Sequence, residues 1–166
     1  IEISCLSMDE PTELRQIRSL IGESFDGENR GAESLVRTVV PTRTFLEKLF
    51  LLAEEFQKEK PRSVRMSRHL YDLEKLMDTE YGLEALSNRK LYDAIVEHRK
   101  TYYALKYVNY DLHAPSSISF TIPKSVMDAW QDDYADMRRF FIYGESLEFD
   151  ALMQKMRELQ ERVRVM

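Results

Sequence analysis

Residues 41–77 read PTRTFLEKLFLLAEEFQKEKPRSVRMSRHLYDLEKLM, and the fold turns on this stretch. It predicts two helices joined by a basic loop. Thr44 and Glu47 match the T-x-x-E capping box, in which each side chain satisfies an orphan backbone donor, so a helix is expected to start at Thr44. Phe45, Leu49, Leu52, Ala53 and Phe56 then recur at helical spacing as one apolar stripe. At about 100° per residue, Lys48 falls at the edge of that stripe, one turn inside the expected start. Ser67 is the expected N-cap of the second helix, and Leu70, Leu73, Leu76 and Met77 form its apolar face. Arg68, Asp72 and Lys75 lie beside that face at i, i+4 and i+7. If the two apolar faces pack together, Lys48 and Asp72 line one groove.

The whole composition suits such a core. The chain has 166 residues, 43% hydrophobic and 32% charged, which fits one domain or a large piece of a bigger protein. A net charge of -5 argues against a protein that coats nucleic acid generically, while leaving room for a local basic patch. Cys5 is the single cysteine, so neither an intrachain disulfide nor a zinc-ligand cluster is available. A reducing cytoplasm is the expected setting. No apolar run approaches the roughly 20 residues that span a bilayer, so no membrane is expected. The first residue is Ile1, which suggests a chain cut from something longer.

Outward from the central stretch, Ile1 to Leu6 alternates as a strand would, and it is expected to complete a sheet lying upstream. Pro11 and the spacing of Leu14, Ile17 and Leu20 or Ile21 predict a short helix stopped by Gly22. Asp26 to Gly31 reads as a turn-rich loop, and Leu35 to Val40 as a short strand ended by Pro41. Between the central helices, Lys58, Lys60, Arg62 and Arg65 make either a solvated loop or one facing phosphate. Tyr81-Gly82 is expected to break the second helix. Asn88 to Lys106 predicts one long helix with His98 on its apolar border. ISFTI at 118–122 is a candidate short strand, and Ser125 with Asp128 a second cap. Met127, Trp130, Tyr134, Met137 and Phe141 mark an amphipathic helix ended by Gly144. Phe149, Leu152, Met153, Met156, Leu159 and Val163 mark the last helix, with a solvated tail. The fold class expected is mainly α: a bundle-like domain of five or six helices with one or two short strands.

The residues RTFLEK at 43–48 and RHLYD at 68–72, in that order and separation, resemble the AbiEii-type nucleotidyltransferases, toxins of bacterial type IV toxin–antitoxin and abortive-infection systems. IEIS at the start and WQDDYADMRRFFIYGESLEFDALM at 130–153 extend the resemblance. The resemblance implies an amino-terminal nucleotidyltransferase α/β sheet followed by a helical region. The family's opening motif is a Gly-Gly turn followed by a Ser-x-Asp pair that binds triphosphate and metal. No Gly-Gly dipeptide occurs here, so that motif is absent. The chain therefore resembles the family's carboxy-terminal half, with residues 1–40 as the end of the nucleotidyltransferase core and a connector, and 41–166 as the helical domain.

Residue by residue, the resemblance makes Lys48 the catalytic lysine and Asp72 the late motif aspartate. Arg43, Arg68 and His69 are the expected substrate-binding residues around them. A lysine can stabilise the charge that builds on a triphosphate, and an aspartate can orient it through a charge-assisted hydrogen bond. Mg2+ is the implied cofactor, held mainly by upstream carboxylates, with Glu2 as a weak candidate ligand and an outward strand carboxylate as its alternative. The implied partners are an NTP, an RNA acceptor with tRNA foremost, or a protein acceptor, and a cognate antitoxin. Without the opening motif, this chain alone is expected to be inactive. Simpler roles stand beside these. Lys48 can snorkel over the apolar stripe, and Asp72 can be the centre of a surface pair with Arg68. The alternative function is a non-catalytic helical module that binds a partner protein or RNA.

Overall fold

The computed structural model describes residues 12–25 and 33–166. The expected strand at Ile1 to Leu6, with Glu2, and the loop at Asp26 to Gly31 lie outside the described residues. The chain divides into two compact units, Ile1–Val40 and Pro41–Met166.

In the first unit, β1 (Thr12–Arg18) pairs antiparallel with β2 (Glu33–Val39), in a register running from Thr12 opposite Val39 to Arg18 opposite Glu33. Residues 12–18 were expected to be helical, and the structure corrects this. The spacing of Leu14 and Ile17 fits a helix locally, but so short a helix is marginal by itself. The β-branched run in β2 offers a full ladder of backbone partners instead. Cross-strand side chains add to it: Arg37 donates to Thr12 Oγ1 at 3.2 Å and Gln16 to Glu33. Among the described residues of this unit only α1 (Leu20–Ser24) is helical, and Ser19 caps it by accepting from the N–H of Gly22 at 3.0 Å. Gly22, the expected stop, lies inside that helix.

The second unit holds six α-helices, so the mainly helical fold with short strands stands as expected. Its centre is α2 (Pro41–Glu55), whose Phe45, Leu46, Leu49, Phe50, Leu52 and Ala53 are buried. The helix starts at Pro41, three residues before the expected start at Thr44, because proline at the first helical position sacrifices no hydrogen bond. Thr44 is then interior to the helix, and the Glu47 carboxylate turns to arginines rather than to a cap. Around α2 pack α3 (Arg68–Leu76), α4 (Glu80–Ser87) and α5 (Arg89–His98). Then α6 (Met127–Phe140) and α7 (Phe149–Arg164) close the core with Trp130, Tyr134, Leu152, Met156, Leu159 and Val163.

Five further expectations change. The break after α3 is made by Thr79, which caps α4 by accepting from Gly82 N–H at 3.4 Å. Gly82 instead allows close approach: a Cβ there would sit 2.2 Å from the Leu76 carbonyl oxygen. The long helix predicted to Lys106 ends at His98 and widens into a π-turn, Arg99–Tyr103, closed by Ala104 at φ 44°. Ile118, Phe120 and Ile122 are buried in alternation, but ISFTI joins no strand among the described residues. The buried Gln160 takes that role, accepting from Phe120 N–H at 3.2 Å and donating to Ile118 O at 2.6 Å. The Ser125–Asp128 cap does not form, since a 3-10 turn at Lys124–Val126 leads directly into α6. The tail of α7 is packed rather than solvated, with Leu159, Gln160 and Val163 buried.

Candidate active site

Lys48 projects from the middle of α2, and Asp72 from α3. The packing of these helices brings the two side chains together: Lys48 Nζ lies 2.7 Å from Asp72 Oδ2. The pair is partly open to solvent, at 23% and 35% side-chain exposure, so an entering ligand can reach it. The helix start does not assist Lys48, because α2 begins two turns before it. Asp72 pairs across to Lys48 rather than along its own helix with Arg68. Arg68 is exposed and makes no hydrogen bond or ion pair among the described residues. Lys75, the third member of that expected row, turns to Glu74 at 3.2 Å and stands over the Tyr71 ring.

His69 lies beside the pair and is nearly buried. Burial, then the charges of Lys48 and Arg68, push its pKa down to about 4, against the pull of Asp72. It is therefore neutral near pH 7, and its Nδ1 has no hydrogen-bond partner among the described residues. A neutral imidazole among cations can offer a hydrogen bond to a substrate oxygen without adding charge.

The turn that launches α3 is fixed from outside. Asp133 on α6 accepts the N–H of Arg65, the N–H of Ser67 at 2.9 Å and the Ser67 hydroxyl. Arg65 holds a left-handed φ of 58° there, which costs a non-glycine residue energy and needs such a clamp. Ser67 starts the helix, but its side chain accepts no cap hydrogen bond. Two of the basic loop's four cations are held at its base: Arg62 and Lys58 both bond the buried Glu55, at 2.9 and 2.7 Å. Burial raises the Glu55 carboxyl, but hydrogen bonds from Arg62 and Lys58 outweigh it and hold it below its usual range.

Behind Lys48 runs a buried charge chain. Arg43 is buried and donates to Glu47 at 2.9 Å. Arg99 donates to Glu47 and forms a two-pronged pair with Glu54, one arm at 2.7 Å. His113 Nε2 stands 3.5 Å from Glu54 Oε1 and its ring stacks on Phe50. Burial raises Glu54, yet the bonds and charges of Arg99 and His113 bring it below its ordinary value. Sequence reasoning set Glu47 aside as a cap and passed over Glu54, Arg99 and Asp133. A signal was present for the first two: Arg43, Glu47 and Glu54 share one face of α2 at i, i+4 and i+11, an arrangement too charged to lie against a purely apolar neighbour.

Among the described residues no three His, Cys, Asp or Glu side chains are placed to hold a metal ion. Asp72 is committed to Lys48, and Glu2 lies outside the described residues. The described residues by themselves offer no carboxylate cluster for Mg2+.

A family model for the nucleotidyl transferase AbiEii toxin of type IV toxin–antitoxin systems matches residues 1–155. The chain belongs to this family. Neither the curated proteins nor the solved structures yield a match. Membership in the AbiEii family assigns the chain to nucleotidyl transferase toxins, with a nucleotide as substrate and an antitoxin as counterpart. No helix among the described residues is long and apolar enough to cross a membrane.

Proposed function

We propose that this chain supplies the lysine–aspartate site of a reaction that moves a nucleotide from an NTP to an RNA, with tRNA the foremost acceptor. The carrying observation is the 2.7 Å contact between Lys48 and Asp72, which joins α2 to α3 at a partly open surface. In the resting protein Asp72 holds the ammonium in one place. A triphosphate arriving beside it meets a cation already positioned, so less ordering remains to be done as charge develops on the leaving phosphates. Arg68, exposed and without an ion pair among the described residues, adds a second cation for a phosphate. His69 contributes a neutral hydrogen bond to a sugar or phosphate oxygen. Arg43 supports α2 from within, through Glu47, rather than meeting substrate. Mg2+ belongs, in this reading, to carboxylates outside the described residues.

The test is nucleotide transfer by the protein expressed from its complete reading frame, with Mg2+, each labelled NTP in turn and bulk tRNA. Lys48→Ala is expected to lower transfer at least a hundredfold, as the loss of a preorganised charge donor does. Asp72→Asn is expected to act in the same direction. Transfer that survives Lys48→Ala removes the role given to Lys48. No transfer with any NTP or acceptor removes the catalytic reading in favour of a helical binding module.

A further inference from the structure

The segment after α5 carries chemistry that the Lys48 site does not use. Residues 99–110 read RKTYYALKYVNY: three cations, four tyrosines and no carboxylate, in a chain of net charge -5. The π-turn ends at Tyr103, and the left-handed Ala104 follows it. Tyr102, Tyr103 and Tyr107 are 64%, 36% and 44% exposed. The core tyrosines behave otherwise. Tyr92 and Tyr134 are buried and donate to the carbonyls of His113 and Leu147. The three outer hydroxyls make no hydrogen bond among the described residues, so the fold does not account for them.

Each outer ring is nevertheless held. Tyr102 lies 4.8 Å from the His98 ring, Tyr103 4.6 Å from the Arg99 guanidinium, and Tyr107 5.2 Å from the Lys58 ammonium. Rings fixed on one side and open on the other lose little freedom when something stacks on them. Lys60, Lys100 and Lys106 are exposed and make no ion pair among the described residues. Lys58 shares its charge with Glu55. Arg99 ties the segment to α2 through Glu54 and Glu47, next in the chain to Lys48.

Flat open rings among cations, three of them without an ion pair among the described residues, match unstacked bases on a charged backbone, the combination that single-stranded nucleic acid presents. We infer that residues 99–107, with Lys58 over Tyr107, form a stacking surface for unpaired nucleotides of an RNA strand. The choice of RNA rests on the transfer reading above; the surface itself rests on the rings and cations.

The test is binding of a labelled single-stranded RNA of about twelve nucleotides, followed by fluorescence anisotropy with the same complete protein. Tyr102→Ala and Tyr107→Ala are each expected to weaken binding roughly tenfold, in the range that one stacked base contributes. The Tyr→Phe versions keep the ring and are expected to bind within about twofold of the parent, given that stacking needs only the ring face. A 4-thiouridine RNA is expected to crosslink to the peptide spanning residues 99–107, a readout that needs no variant to fold. Equal binding by the alanine variants, equal affinity for a duplex of the same length, crosslinks elsewhere, or no binding would each overturn the inference. Transfer to RNA that persists without this surface leaves the transfer reading intact while ending this one. RNA held here with no transfer does the reverse.

Discussion

Asp133 shows how much one side chain can position. It holds three donors of the turn that precedes α3, and α3 carries Arg68, His69 and Asp72. Asp133→Asn keeps the shape but loses the charge and turns one acceptor into a donor, facing either the Arg65 N–H or the Ser67 N–H and hydroxyl. The expected cost is about 1–3 kcal/mol of stability, the usual penalty for a partly buried donor left unpaired. With α3 freed from its clamp, the 2.7 Å contact between Lys48 and Asp72 is expected to loosen, so transfer should fall more than NTP binding. Denaturant titration and a comparison of kcat with KM read the two effects. A variant as stable and as active as the parent would show that the turn needs no clamp. Neither Asp133 nor its role was legible in the sequence, because its partners lie 66 and 68 positions away. The Lys48–Asp72 pairing was legible, because each residue sits at the edge of an apolar stripe and stripes must meet.

Elements were read well where one period dominated and poorly where a distant partner decided. The stripe of α2 left no alternative to a helix. In residues 12–18 the apolar positions satisfied a helical spacing, and only β2, absent from any local window, makes them a strand. The Thr44–Glu47 box was a sound local signal overruled from afar, since Arg99 offers Glu47 a stronger partner than a backbone N–H. The same arginine, drawn to Glu54 and Glu47, accompanies the widening of α5 into its π-turn, where the Ala104 N–H bonds back to Arg99 O at 3.0 Å. Gly82 gives the sharpest test at this scale. Its residue type predicts a helix breaker, yet it lies within α4, pressed on the end of α3. Gly82→Ala gains roughly 1 kcal/mol of helix propensity. Against that, the new Cβ meets backbone at 2.2 Å and 2.8 Å, so α3 and α4 must separate. Overpacking of this kind typically costs about 1–3 kcal/mol, and the net expectation is a lower urea midpoint. A midpoint that rises would mean the two helices part without loss.

At the scale of the whole molecule, three ionisable groups tie stability of the second unit to pH in one direction. His69 titrates at about 4 when folded against about 6.5 when unfolded. Between those values the unfolded chain binds more protons, so folding weakens as pH falls. The contribution is full above pH 6.5 and is lost as pH drops through 4, at about 1.4 kcal/mol per unit. Over that window the loss is on the order of 3 kcal/mol, a large share of a typical domain's stability. Glu54 and Glu55 are also held below their ordinary values, so their contributions are present above the usual carboxylate range and disappear at still lower pH. Acid unfolding is therefore expected in two stages, the first belonging to His69 and the second to the buried carboxylates. Urea midpoints taken from pH 7.5 downward in the parent and in His69→Gln, which cannot take up the proton, separate them. The variant should be less stable near pH 7 yet flatter between 6.5 and 4, with its decline beginning only where Glu54 and Glu55 protonate. If both proteins lose stability along the same slope in that window, the imidazole is not held neutral beside Lys48, and its place as an uncharged donor in the transfer site falls with it.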